Sequence, residues 1–274
     1  MSPREQGEWS HPCRLTWHGT GRTHTGLVRP SNQDAFVALD QFSLWIVADG
    51  MGGHAGGDIA SRVAVETLSS WGPAIARPEE VAHSNPPFQE KRARALRDAI
   101  QAANEAIRQQ AFTQPHLTGM GTTLVVLHIA PGIPSDFPAL ATVAHLGDSR
   151  AYLLRDRTLT QITRDHSWVE DRIQQGLLSP QEALLHPLRH MLTHALGTEA
   201  TVEPAFSTHP LQPGDRLMLC TDGLTKMLDD SRIVEILLHA GHSADTACEA
   251  LITEANQQGG HDNTTVLVVH SQPI

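Results

Sequence analysis

The chain has 274 residues, of which 40% are hydrophobic, enough for one large core or two small ones. Its 30 acids against 20 bases, a net charge of -10, argue against a non-specific nucleic-acid binder, which needs clustered Lys and Arg. Cys13, Cys220 and Cys248 form no CxxC pair, no run nears the roughly 18 apolar residues of a membrane span, and MSPREQGEWSHPCRL lacks a secretory apolar region, so a cytoplasmic protein without membrane partner is expected.

Residues 1–13 read as a flexible N-terminal tail. β-like runs follow at Ala35–Leu39 and Phe42–Ala48, rich in Val, Ile, Phe and Trp and bounded by turn residues. A helix is predicted over Asp58–Trp71, where Ile59, Val63, Thr67 or Leu68, and Trp71 share a face. After a Pro-rich stretch a second helix is predicted over 89–111, with Leu96, Ile100, Ala103 and Ile107 as its stripe. Four strands come next, at Thr122–Ile129, Ala139–His145, Ala151–Leu154 and Thr158–Ile162. Asp165–His194 turns helical, broken at Gly176 and Pro180. A strand at Asp215–Thr221, helices at Ser231–His239 and Ser243–Asn256, and a strand at Asn263–Val269 complete the chain. Strands arrive in runs with helices between them in pairs, which predicts an α+β protein of antiparallel sheets covered by helices.

Five aspartates mark strand edges: Asp34, Asp49, Asp148, Asp222 and Asp262. A turn role would account for any one of them, since Asp-Gly is a common turn dipeptide. Jointly they suggest more, because sheets gather strand ends at one edge. Carboxylates in one cleft repel unless a cation neutralises them, and hard divalent ions such as Mg²⁺ or Mn²⁺ take oxygen ligands. Histidine and cysteine do not cluster at zinc-ligand spacing. His54 alone is weak evidence for a ligand or an acid. Residues 50–55, GMGGHA, match a dinucleotide-binding G-x-G-x-x-A, but the following helix leads to another helix rather than to a parallel strand ending in an acid.

The order of motifs resembles the metal-dependent protein phosphatases of the PPM or PP2C type, in their bacterial branch. The likeness runs from about Leu15 to Val269. It rests on GLVRPSNQDAF (26–36), VADGMGGHAGGDIAS (47–61), GMGTTLVV (119–126) and AHLGDSRAYLLRD (144–156), then on LTQITRDHS (159–167), ALGT (195–198), GDRLMLCTDGLTKML (214–228) and GGHDNTTVLVV (259–269). One such motif is weak, whereas the whole set in order is specific. The resemblance implies a phosphatase domain over 14–272, built as a central β-sandwich of two antiparallel sheets flanked by helix pairs, with a flap at about 165–194.

It also implies hydrolysis of phosphoserine and phosphothreonine in proteins at a centre of two Mn²⁺ or Mg²⁺ ions, opposing a Ser/Thr kinase. By motif, Asp49 bridges the two ions, the Gly50 carbonyl binds the second, and Asp222 and Asp262 complete the first site. Asp148 joins Asp222 in a third, weaker site; Arg29 binds the substrate phosphate with its planar fork of donors, and Asp34 supports the centre. Two positions depart from the pattern. Gln33 stands where the family usually has Glu, and Met51 where eukaryotic members carry a histidine proposed as general acid, so the leaving-group acid stays open. Gln33 also keeps an alternative alive: a phosphatase-like module that binds phosphoproteins without turnover.

Overall fold

Two antiparallel sheets lie face to face in the computed structural model, which describes residues 15–52, 56–76, 86–131 and 139–273. The first is ordered β1 (Leu15–His24), β11 (Thr264–Pro273), β10 (Arg216–Cys220), β7 (Arg150–Arg155), β8 (Thr158–Gln161). The second is ordered β2 (Asp34–Leu39), β3 (Leu44–Met51), β5 (Leu124–Pro131), β6 (Ala139–Leu146), β9 (Ala205–Leu211), with β4 (Gly121–Thr122) beside the end of β3. Every strand pair is antiparallel, so the strand–helix–parallel strand unit of a dinucleotide fold is absent among the described residues.

Alternation along the strands builds three apolar layers. Trp45 and Val47 of β3 point between the sheets, where they meet Val125, Leu127, Leu217, Leu219, Leu267 and Val269. Leu44, Ile46 and Ala48 point the other way, onto α1 (Gly57–Ser70) and α3 (Pro86–Thr113). On the far side Met218, Cys220, Val266 and Val268 meet α7 (Asp230–His239) and α8 (Ala244–Gln257). Both faces of each central strand are thus buried, and each large apolar side chain sealed there contributes about 1.5–3 kcal/mol. The short helices α2 (Gly72–Ile75) and α6 (Asp222–Thr225) follow α1 and β10.

The α+β architecture and the helix pairs agree with the sequence reading. Two strands were not anticipated, β1 and β9. The helical pattern over 165–194 resolves into α4 (Trp168–Gln174) and α5 (Pro180–Leu185) only, with Gly176 in a left-handed conformation between them. Ser167 and Ser179 cap these helices, the second through a reciprocal capping box with Glu182. Residues 187–190 form turns, and the chain then returns past the start of α4 through a bridge between Ser167 and Leu192, with the Trp168 N–H donating to the Met191 carbonyl and the Thr193 N–H to that of His166. The expected tail at 1–13 and His54 lie outside the described residues. Cys220 and Cys248 are buried free thiols, and among the described residues no helix is long and apolar enough to cross a membrane.

Candidate metal centre

At one end of the sandwich the inward-facing positions change from apolar to polar. On β2 the series Ala38, Phe36 ends at Asp34; on β3 the series Trp45, Val47 ends at Asp49. The register pairs Asp34 directly with Asp49, a placement that holds two Cβ atoms about 4.5–5.5 Å apart. The same step occurs at Thr123 before Val125, at Thr221 after Leu219 and at Thr265 before Leu267. These hydroxyls line the floor of the acid cluster. Thr221 and Thr265 donate to Asp34 Oδ2 at 2.9 and 2.7 Å, and Thr123 Oγ1 accepts from the Asp49 N–H at 3.0 Å.

The other three acids arrive from strand connections. Asp148 lies between β6 and β7, where Ser149 reaches Thr123 at 2.7 Å. Asp222 opens α6, just past β10, and Asp262 precedes β11. The two Asp-Gly dipeptides are not turns here, contrary to the ordinary reading of that pair. Gly50 continues β3, and Gly223 is helical. What each glycine permits is close backbone approach: a Cβ at Gly50 would lie 2.0 Å from the Gly57 carbonyl oxygen, and one at Gly223 would lie 1.9 Å from that of Asn263. The second approach draws the start of α6 against the start of β11, and with it Asp222 toward Asp262.

The five aspartates form one electrostatic unit. Burial is the largest cause of the upward shift at Asp34, to about 7, with Asp222 and Asp262 adding repulsion against the two threonine donors. Asp148 is likewise pushed up to about 7 by burial, then by Asp222 and Asp165. Asp49 is raised well above the usual carboxylate range by burial and by all four of the others. Arg29, about half exposed, sits at the rim and donates to Asp262 Oδ2 at 2.9 Å. All seven residues predicted from sequence therefore belong to one end of the sandwich, Gly50 through its place on β3 beside Asp49.

Four participants were missed at the sequence level. Lys226 Nζ contacts Asp222 Oδ2 and lies 3.5 Å from Asp262 Oδ2. Asn263, buried, donates from Nδ2 to the carbonyls of Thr25 and Ser31 and accepts from the Gln33 N–H, so it pins the loop that carries Arg29. Thr221, with Thr265, holds Asp34. The available signal was their position: Thr221 and Thr265 continue inward-facing series, Asn263 directly follows a predicted acid, and Lys226 stands one helical turn after another. A cavity of about 730 Å³ between β8 and β9, lined by His145, Arg164, His166 and His209 among others, contains none of the acids.

A family model described as protein phosphatase 2C matches residues 18–258. The chain belongs to the protein phosphatase 2C family. This phosphatase is 39% identical over 258 residues to a serine/threonine phosphatase, stp, of Listeria welshimeri, covering 92% of this chain and 95% of that one. Its fold is similar to the crystal structure of the Mycobacterium tuberculosis serine/threonine phosphatase PstP, with a TM-score of 0.77, 35% identity and coverage of 93% and 98%. It is also similar to the catalytic domain of PstP in complex with two manganese ions, with a TM-score of 0.76, 34% identity and coverage of 94% and 99%. The chain is a protein serine/threonine phosphatase, a phosphoric monoester hydrolase with the α+β sandwich of that family.

The acid cluster of this phosphatase fits a hard divalent cation. Its side chains offer carboxylate oxygens, the kind of donor preferred by Mg²⁺ and Mn²⁺. Asp34 Oδ1 and Asp222 Oδ1 are buried and have no hydrogen-bond partner among the described residues. Among the described residues no three acids or histidines are already gathered as a closed cage. Asp222 and Asp262 instead turn oxygens to Lys226, and Asp262 turns one to Arg29 as well.

Proposed function

We propose that this phosphatase hydrolyses phosphoserine and phosphothreonine in protein substrates at a centre of two Mn²⁺ or Mg²⁺ ions, with a third, weaker site. It acts in the cytoplasm and opposes a Ser/Thr kinase. The observation that carries the reading is the convergence of five aspartates from distant strands on one end of the sandwich, with buried carboxylate oxygens lacking partners.

When bound, the ions supply a water of lowered pKa and positive charge for the phosphate oxygens. Asp49, on the interior strand β3, would hold the ions together with the Gly50 carbonyl, Asp222 and Asp262, and Asp148 with Asp222 would hold the weaker one. Asp34 keeps the floor fixed through its threonine donors and orders water by hydrogen bonding. Arg29 at the rim turns its fork of N–H donors from Asp262 to the incoming phosphate. The flap at 165–194 tunes which phosphoproteins reach the centre. Its root is clamped by Arg150, which donates to both oxygens of Asp165 at 2.9 and 2.8 Å.

The test is turnover of a phosphothreonine peptide with Mn²⁺, with EDTA, and by Asp222→Asn. Turnover that needs the metal and collapses in the variant is the expected result. A folded, Mn²⁺-loaded protein that binds the peptide without turnover would replace this reading with the phosphoprotein-binding module.

A further inference from the structure

Lys226 directly follows α6, and its backbone N–H donates to the Asp222 carbonyl at 2.8 Å. This one-turn spacing puts both side chains on one face of the helix. The ammonium contacts Asp222 and lies 3.5 Å from Asp262, whose side chains are 16% and 19% exposed against 32% for the lysine. The cluster is therefore shielded from bulk salt, and its charges act on one another at short range.

We propose that Lys226 is an internal competitor for the divalent ion: its ammonium neutralises Asp222 and Asp262 in the metal-free protein and swings out when a metal ion takes the same oxygens. The proposal rests on the metal-centre reading above. Carboxylates gathered at one end of the sandwich repel one another, and a fixed ammonium between two of them lowers that cost while no metal is bound. An incoming ion has to displace a contact already made, and an ammonium left beside it would be repelled. The flexible four-carbon stem lets the charge leave without moving α6. By linkage, an interaction present only in the metal-free state stabilises that state and weakens metal binding by the same factor. One side chain thus acts with opposite sign on two measurable quantities.

Calorimetric titration of Mn²⁺ into metal-stripped wild type, Lys226→Met and Lys226→Gln separates the cases, together with their unfolding temperatures in EDTA. Lys226→Gln keeps an N–H donor for Asp222, so one variant holds its fold even where the other does not. Both variants are expected to bind Mn²⁺ about tenfold more tightly than wild type and to unfold at lower temperature in EDTA. A merely structural lysine would move both quantities downward. Mn²⁺ affinity equal to or below that of wild type in the variants overturns the competition and leaves the metal centre standing, because wild type still binds. Wild type that takes up no Mn²⁺ overturns the metal centre and the competition together.

Discussion

Asp49 faces Asp34 across β2 and β3 in a buried setting where like charges would oppose directly, so its ionised carboxylate costs stability that a proton or a bound cation offsets. Asp49→Asn is therefore expected to raise the unfolding free energy in EDTA by about 1–3 kcal/mol while reducing Mn²⁺-dependent hydrolysis roughly a thousandfold. Urea unfolding in EDTA, with peptide turnover alongside, checks both signs; a destabilised variant would contradict the electrostatic account. His128 tests burial elsewhere. It lies on β5 at 3% exposure, its Nδ1 has no partner among the described residues, and burial, then Arg92, pushes its pKa down to about 3. The unfolded chain takes a proton below about pH 6.5 that the folded chain refuses, so this contribution to stability is complete above pH 6.5 and is lost as pH falls toward 3. At pH 5 the loss amounts to about 2 kcal/mol. His128→Leu is expected to flatten the acid limb of a stability-versus-pH curve by that amount, and an unchanged limb would rule this origin out.

At the scale of elements, α6 and β11 are held together by the absence of a side chain at Gly223. Gly223→Ala places a methyl 1.9 Å from the Asn263 carbonyl oxygen, so the two backbones have to part. The expected cost is about 1–3 kcal/mol, with weaker Mn²⁺ uptake because Asp222 moves from Asp262. Denaturant midpoints and a Mn²⁺ titration read these effects, and a variant unchanged in both would show the contact to be slack. What was legible in the sequence follows from the same local physics. The strands β3, β5, β6, β10 and β11 bury both faces or alternate cleanly, and their apolar runs announce them. The β1 strand is LTWHGTGRTH, whose Gly19 and Gly21 lie under the Trp45 and Phe36 rings, so nothing in its own pattern marks it. The β9 strand is an edge, half-buried and carrying Pro210, and shows no period of two. The 165–194 segment looks helical throughout because Leu184, Leu185, Leu188 and Met191 mimic an apolar stripe, yet all four are exposed. Their helix stops at Leu185, before Pro187.

At the scale of the molecule, two sheets with helix pairs outside make a four-layer body whose strand ends at one pole hold the acid cluster proposed to carry the chemistry. The acids were legible because aspartates recur at the ends of apolar strand runs, two of them directly before glycine. Their supports were not, since Lys226, Asn263, Thr221 and Thr265 gain meaning only when β10, β11 and α6 meet. The central claim is that divalent ions sit at this pole, held by Asp49, Asp222 and Asp262. Anomalous-difference density from crystals grown in Mn²⁺ tests it most directly. Two strong peaks flanking the Asp49 carboxylate, one of them also bound by Asp222 and Asp262, are predicted. Manganese peaks elsewhere with none at this pole would contradict the account.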